Sequence, residues 1–217
     1  MVKNGHKRTG AQNFLCRNCG KQFLDHYLYW GANPTVKTMI IRHLLRGSSV
    51  RDTAHLLGIS PQTVLRTLTS VGSRVAFTPA HSHYHKVQMD EQCSYVGNKK
   101  AKCWMFYAIC AQSGEILAAV WGKRSRKTLK MLLEQLQDLE IDFYCTDLWR
   151  PFTKVFLPEK HLRGKVHTKK IEGVNTWFRV RISRLRRRTT TFSKKMENHI
   201  AHLKIAIQHR NNSASFI

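Results

Sequence analysis

Three acidic residues stand where their carboxylates could share a metal ion. Asp90 lies in the alternating segment 86–96, on the side that carries the polar residues, and Asp147 ends the apolar segment 141–147. Glu172 lies near the start of a helical pattern. Carboxylates bind hard cations such as magnesium, and a pair of such cations can assist both the attacking and the leaving oxygen of a phosphoryl displacement. The three acids therefore indicate a candidate site for metal-dependent phosphoryl transfer.

Each acid also has an ordinary interpretation when it is taken alone. Asp90 would be a polar strand residue, and Asp147 would form a turn. Glu172 would pair with one of the lysines close before it, as surface acids commonly do. Glu172 is, however, the only acid between residues 160 and 195, a stretch dense in Lys and Arg. Taken together, the three acids favour the metal site.

Glu91, which follows Asp90, is expected to have a structural role. Side chains alternate between the two faces of a strand, so Glu91 would share the face of Val87 and Met89 and point away from Asp90. Neighbouring side chains on opposite faces cannot both reach one metal ion from a regular strand. Asp90 is therefore the predicted ligand of this pair.

The charge of the chain indicates a polyanionic partner. Its 217 residues include 37 Lys and Arg against 13 Asp and Glu, for a formal charge of +24. Such a field attracts phosphate backbones, so double-stranded DNA is the first expected partner and an anionic membrane surface is the rival. The longest apolar run, 103–111, is far shorter than the roughly 20 residues that span a bilayer. With no secretion leader recognised, we expect a soluble, cytoplasmic protein.

Helical patterns precede the acidic segments. A helix is predicted from Thr35 to a stop at Gly47, and residues 49–68 then predict two short helices joined by a tight turn, with Ser60 capping the second. This is the pattern of a helix-turn-helix, whose second helix enters the major groove of DNA. The residues free to contact DNA would be Gln62, Thr63 and Arg66. The alternative is a plain helical hairpin with a solvated polar face.

Cys16 and Cys19 form a Cys-x-x-Cys knuckle after a predicted hairpin, which is half of a zinc ribbon. A structural zinc site needs four ligands, and His6 and His26 are the nearby residues that could add two. We expect instead that the ribbon is incomplete here, because the natural reading frame would supply the missing knuckle, and that zinc binding is weak. The other cysteines lie in apolar segments and are predicted to be buried, reduced thiols: Cys93, Cys103, Cys110 and Cys145.

The region after residue 85 carries the pattern of a mixed sheet with flanking helices. Strands are predicted at 86–96, 103–111, 115–121 and 141–147, and helices at 129–139 and 171–185. The order of these elements indicates an α/β domain. The predicted organisation is a zinc-ribbon-like segment at 1–30, a helix-turn-helix domain at 33–72, a linker at 73–85 and the α/β domain at 86–217.

Several motifs, in their order along the chain, resemble one family of transposases. These are "MDEQ" followed by "YVG", then "TDLW", "IEGVN" and "RLRRRTTTFSKKMENH". They are similar to the IS-one family of bacterial insertion-sequence transposases, of the InsA and InsB′ fusion type. The family implies a zinc ribbon and a helix-turn-helix that bind terminal inverted repeats, followed by an RNase H-like domain with a DDE triad. Matched by motif, the triad is Asp90, Asp147 and Glu172, with magnesium or manganese as cofactor and at least a dimer as the active form.

The resemblance also implies DNA contacts. Asn175 falls on the "IE..N" position, where it would orient the acid or a DNA phosphate. An arginine run would hold further phosphates: Arg184, Arg186, Arg187 and Arg188. The chain departs from the family where Cys93 replaces Trp, where Gly173 replaces Arg, and in the missing first Cys knuckle. The implied function is DNA strand cleavage and transfer; the alternative is a non-catalytic DNA-binding regulator derived from a truncated transposase.

Overall fold

Three short strands begin the fold of the computed structural model, which describes residues 1–186 and 190–214. Strands β1 (Val2–His6), β2 (Gln12–Leu15) and β3 (Gln22–Leu24) form an antiparallel sheet in that order. The predicted hairpin is the β1–β2 pair. Cys16 and Cys19 lie in the turn between β2 and β3, where the backbone N–H of Gly20 donates to the carbonyl of Cys16 at 2.8 Å. Local backbone pairing thus forms both the hairpin and the knuckle.

Three helices follow, close to their predicted positions. They are α1 (Pro34–Leu45), α2 (Val50–Leu56) and α3 (Pro61–Gly72). A side chain caps each start by accepting a backbone hydrogen bond from the first turn: Asn33, Ser49 and Ser60. Gly58 turns the chain between α2 and α3, because its φ of +61° brings the N–H of Ile59 to the carbonyl of Ala54 at 3.0 Å. The sequence signals for caps and turns therefore locate these helices well.

The centre of the protein is a five-stranded mixed sheet. Its strands are β4 (His83–Tyr95), β5 (Lys102–Cys110), β6 (Ile116–Gly122), β7 (Glu140–Thr146) and β8 (His161–Arg163). The order across the sheet is β6-β5-β4-β7-β8; β4 pairs antiparallel with β5, and β7 lies parallel between β4 and β8. Four strands match the predicted segments to within a few residues. The short edge strand β8 is an addition, because three residues are too few to show an alternating pattern.

Helices cover both faces of this sheet. Helices α4 (Arg126–Glu134) and α5 (Arg150–Thr153) lie on one face, and α6 (Lys169–Arg181) and α7 (Met196–Ala214) lie on the other. The predicted α/β class, a mixed sheet with flanking helices, is confirmed. The predicted helix at 171–185 is too long, because the backbone becomes extended at Ile182. A 3₁₀ turn follows, and its period near three keeps Ile182 and Leu185 buried as a continued helix would.

One hydrophobic cluster joins the first three helices to the sheet. Its fully buried members include Ile40 of α1, Leu68 of α3, Tyr107 of β5 and Phe178 of α6. The hydrophobic core therefore continues across the predicted linker at 73–85. The division into separate domains stays a prediction.

The burial of the cysteines differs in part from expectation. Cys103 and Cys145 are buried and Cys110 is half-buried, but Cys93 is exposed, so its predicted burial is wrong. The cluster that packs on this face of β4 includes Val87 but not Cys93.

Gly72, the last residue of α3, lies at the crossing of α3 and α7. A Cβ at position 72 would lie 2.5 Å from the Cβ of Ala201 and 2.6 Å from its Cα. Carbon atoms do not approach so closely, so the two helices can cross at this distance only because Gly72 has no side chain.

We expect Gly72→Ala to lower the free energy of unfolding by about 1–3 kcal/mol, because α3 and α7 must move apart to admit the methyl group. The matched control is Gly173→Ala in α6, where a Cβ meets no atom within 4 Å. Alanine there should raise the free energy of unfolding by about 0.5–1 kcal/mol. Urea unfolding followed by circular dichroism measures both changes. A similar loss at both positions would contradict the close crossing.

A buried polar network connects the end of β4 with α7. His199 lies between two hydroxyl groups, with Nε2 2.9 Å from Ser94 Oγ and Nδ1 3.1 Å from Ser193 Oγ. His202 is also buried, and its Nε2 lies 3.3 Å from a backbone carbonyl at the end of α1. Burial, together with the nearby Arg184 guanidinium, lowers the pKa of His199 to about 4 and that of His202 to about 3. Both rings are therefore neutral in the folded protein at neutral pH.

These pKa values make stability fall as the pH falls. An unfolded histidine gains a proton as the pH drops through its ordinary pKa of 6.5, whereas folded His202 does not until about 3. Between pH 6.5 and pH 5, His202 alone should cost about 2 kcal/mol of the free energy of unfolding. His202→Gln should remove that part of the pH dependence in urea unfolding at the two pH values, since comparison with the parent cancels the other titrating groups. Equal pH dependence in both proteins would show that His202 is not held neutral.

Candidate metal centre

The parallel pair of β4 and β7 brings Asp90 and Asp147 side by side. The strands pair as far as Gln88 and Cys145, so each aspartate lies two residues beyond the last pair. The backbone N–H of Trp149 donates to Asp147 Oδ1 at 2.9 Å and fixes that carboxylate. This is the juxtaposition that the strand patterns predict.

Glu91 completes a cluster of three carboxylates. One oxygen each of Asp90, Glu91 and Asp147 lies within 4.8 Å of the other two. Within residues 1–186 and 190–214, no other group of three or more His, Cys, Asp or Glu side chains meets this spacing. The cluster is the candidate metal centre of the described chain.

The expectation that Glu91 points away from this site is wrong. Glu91 alternates with Asp90 along β4, but pairing with β7 stops at Gln88 and leaves this edge of β4 open. One oxygen of the Glu91 side chain nevertheless lies within 4.8 Å of an oxygen of each aspartate. Alternation predicts the face from which a side chain starts, not its reach at the edge of a sheet.

Asp90 is held by two hydrogen bonds. The next backbone N–H donates to Oδ1 at 2.8 Å, and Nδ2 of Asn175 on α6 donates to Oδ2 at 2.7 Å. The hydroxyl of Tyr107 donates to Asn175 Oδ1 at 2.9 Å and so orients the amide. Burial raises the pKa of Asp90, and the charges of Asp147 and Glu172 raise it further. Asn175 is itself buried, and its amide contacts the Asp90 carboxylate.

The Glu91 carboxylate is buried beside a cation. Its side chain is 3% exposed, and Arg124 donates to Oε1 from Nε at 2.8 Å and also from Nη2. The rings of Trp104 and Trp149 each lie 5.0 Å from the guanidinium carbon. Burial raises the pKa of Glu91 to about 7, while Arg124 acts in the opposite direction. The other oxygen, Oε2, is buried and has no hydrogen-bond partner among the described residues, which leaves it available to a ligand.

The sequence alone does not point to two residues of this site, Arg124 and Tyr107. Arg124 is one of 37 basic residues, and its distance of 33 positions from Glu91 gives no pattern to detect. Tyr107 is hidden in an apolar strand. A signal for it does exist, because the antiparallel register of β4 and β5 places Tyr107 directly opposite Asp90.

Glu172 lies outside the cluster. It is in the first turn of α6, as predicted, and is exposed. Its charge reaches Asp90, but its oxygens are not among those within 4.8 Å of one another. The structure thus brings two of the three predicted triad residues together, adds Glu91, and leaves Glu172 nearby on α6.

The donor set suits a hard divalent cation. Carboxylate oxygens are the ligands that magnesium and manganese prefer. A cation at the cluster would also give the buried Oε2 of Glu91 the partner it lacks among the described residues.

Cys16 and Cys19 have no comparable set of ligands. In the described chain, neither His6 nor His26 joins them in a group of three. Hydrogen bonding with Cys19 lowers the pKa of the Cys16 thiol. Two thiolates alone do not complete a tetrahedral zinc site, so weak zinc binding stays a prediction.

The predicted DNA contacts on α3 differ in exposure. Gln62 and Arg66 are exposed. Thr63 is half-buried, and its hydroxyl lies 2.9 Å from the Tyr29 hydroxyl and 3.0 Å from that of Ser60. Thr63 therefore supports the start of α3, whereas Gln62 and Arg66 present their side chains to solvent.

The arginine run is not a uniform surface. Arg184 is only 8% exposed, and its Nη1 donates to Ser193 Oγ at 2.8 Å, whereas Arg186 is exposed. Arg187 and Arg188 lie outside the described residues. Arg184 is therefore buried and Arg186 open to solvent, and the phosphate contacts of both stay predictions.

Comparison with known proteins identifies the class. Residues 85–211 match the model of the IS1 transposase family. The Insertion element iso-IS1n protein InsB of Shigella dysenteriae is 38% identical over 112 residues, which are 52% of this chain and 86% of that protein. The Insertion element IS1 2 protein InsB of Escherichia coli (strain K12) is 34% identical over 112 residues, which are 52% of this chain and 67% of that protein. The chain is a transposase of an insertion sequence. It belongs to the IS1 transposase family.

A comparison with solved structures adds little. A chain in the cryoEM structure of the simian T-cell lymphotropic virus intasome in complex with PP2A regulatory subunit B56 gamma matches with a TM-score of 0.35 at 14% identity, over 76% of this chain and 64% of that chain. A likeness this low supports no inference. In the described part of the chain, no helix has the length and apolar character needed to cross a bilayer.

Proposed function

We propose that this protein cuts DNA at the ends of its insertion sequence and joins the freed 3′-hydroxyl to target DNA. The observation that carries the proposal is the cluster of Asp90, Glu91 and Asp147, in a chain of the IS1 transposase family. The formal charge of +24 would hold DNA against these acids. Both steps are phosphoryl transfers, for which positioning and charge neutralisation provide most of the catalysis.

The residues of the cluster have distinct parts in this chemistry. Asp90 and Asp147 would offer carboxylate oxygens to the cation, while Asn175 keeps the Asp90 carboxylate oriented. Glu91 would offer its unpaired Oε2, while Arg124 holds the other oxygen. When bound, magnesium or manganese would activate the attacking oxygen and stabilise the leaving one.

Glu172 is proposed as the last acid of a DDE triad on an RNase H-like sheet. It lies three residues before Asn175 on α6, so the two side chains are on one side of the helix. Because Asn175 contacts Asp90, that side of α6 faces the candidate metal centre.

DNA recognition is proposed for the region before β4. Helices α2 and α3 would act as a helix-turn-helix on the terminal inverted repeats, with Gln62 and Arg66 reaching the major groove. The knuckle of Cys16 and Cys19 would supply two ligands of a zinc ribbon. The active form would be at least a dimer, because the two ends of the insertion sequence are held together. The protein would act in the cytoplasm of a bacterium.

A cleavage assay on the element's own labelled ends tests this function. The full chain should cut with magnesium or manganese and not with a chelator, and should bind the same DNA in both conditions. Binding with no cleavage in any divalent cation would favour the DNA-binding regulator. Cleavage that persists in the chelator would exclude the proposed metal dependence.

A further inference from the structure

A cavity of about 640 Å³ separates the first three helices from the segment before α7. Its lining combines apolar side chains with polar and basic ones, which include Ser49 and Arg51 at the start of α2, Arg184 on the opposite wall, and Ser193 and Lys194. Arg51 and Lys194 are exposed, so the cavity carries cations at its mouth as well as inside. None of these groups belongs to the carboxylate cluster.

Arg184 is a buried cation in this cavity. It is 8% exposed, and Nη1 donates to Ser193 Oγ at 2.8 Å and to the carbonyl of Asn198 at 3.3 Å. Among the described residues, no carboxylate forms an ion pair with it. Burial lowers the pKa of Arg184 to about 10. A buried charge without a counter-ion is costly, and a bound anion would reduce that cost.

The one acid in the described lining does not supply that counter-ion. Asp52 accepts a hydrogen bond from the backbone N–H of Ser49 at 3.2 Å, and the Ser49 hydroxyl accepts one from the N–H of Asp52 at 3.1 Å. This reciprocal pair caps α2 and makes no ion pair with Arg184 in the described chain. The cation inside the cavity therefore keeps its capacity for a ligand.

We propose that this cavity binds a phosphate group, supplied by the sugar–phosphate backbone of bound DNA. Because Nη1 of Arg184 already donates to Ser193 and Asn198, a phosphate would accept from the remaining N–H groups of the guanidinium. Arg51 and Lys194 add positive charge at the entrance. DNA is the favoured source because α2 and the start of α3 form one wall, so DNA that lies along α3 passes the mouth of the cavity. The inference rests on the proposed DNA binding, but not on cleavage. In this site Arg184 would contact phosphate through the cavity, although its side chain is buried.

Two measurements on the full chain test the site. The first is the rise in Tm with inorganic phosphate, compared with chloride at equal ionic strength. The second is the salt dependence of binding to a random-sequence DNA duplex. The variants are Arg184→Met, Arg51→Ala at the mouth, and, as a charge-matched control, Lys130→Ala on the exposed side of α4.

Arg184→Met should abolish the phosphate effect, and Arg51→Ala should weaken phosphate binding about tenfold. Each should reduce the slope of log affinity against log salt by about 1, whereas Lys130→Ala should change neither readout. If Arg184→Met does not fold, the test rests on the phosphate effect and the salt slope of Arg51→Ala, each compared with those of Lys130→Ala.

The same phosphate response in the parent and all variants would overturn the site. A phosphate response that depends on Arg184 with an unchanged DNA salt slope would overturn DNA as the source and leave a free phosphate ligand. If the parent binds no DNA at all, the proposed function fails, while the inorganic phosphate measurement still decides whether the cavity is an anion site.

Discussion

Asp90→Asn and Asp147→Asn are each expected to reduce metal-dependent cleavage of an element end by about 1,000-fold or more, because each removes a charge from the three-carboxylate cluster. DNA binding should stay the same or become tighter, since each change also removes repulsion of phosphate. Gel-based cleavage and binding assays on one labelled duplex measure both effects. Parent-like cleavage by either variant would remove that residue from the site.

Glu172→Gln is part of the same experiment. We expect it to lose cleavage as well, since α6 carries Glu172 on the side that faces Asp90. Retained cleavage in Glu172→Gln with loss in Glu91→Gln would make Glu91 the third acid in its place. Glu134→Gln, an exposed acid on α4, is the control for the loss of one carboxylate elsewhere.

The second large effect is expected at Glu91. From the sequence alone, Glu91→Gln should keep measurable cleavage, but the structure places this carboxylate within 4.8 Å of both aspartates with its Oε2 unpaired in the described chain. We therefore expect Glu91→Gln to weaken manganese binding by about 10- to 100-fold, the loss typical of groups that hold or orient a metal. Titration calorimetry with manganese and no DNA separates this effect from catalysis. Unchanged affinity, equal to that of Glu134→Gln, would make Glu91 only the partner of Arg124.

The sequence predicts the helices and strands of this protein better than it predicts the contacts made where those elements end. Caps and apolar periodicity locate α1 to α3 and four strands, because these signals act within a few residues. The strand patterns also predict the meeting of Asp90 and Asp147 on β4 and β7. Glu172, the third acid that the sequence predicts for the site, lies outside the cluster in the described geometry.

Three features that the sequence does not predict lie where neighbouring helices or strands end. Glu91 joins the site beyond the last pair of β4 with β7, and Cys93 is exposed outside the hydrophobic cluster that packs on its face of β4. Arg184 is buried because the chain leaves helix α6 before it and turns inward. Each outcome depends on contacts between distant segments, which periodicity along one segment cannot contain.

Localised cleavage of the protein backbone by bound iron tests the central claim most directly. Fe²⁺ can replace magnesium or manganese at a carboxylate site, and with ascorbate and peroxide it cuts the nearest polypeptide. The proposed centre predicts fragments that end near Asp90 and near Asp147, suppressed by excess magnesium and absent in Asp90→Asn. Fragments that map elsewhere, or that persist in Asp90→Asn and in excess magnesium, would show that the cation is not held by these carboxylates.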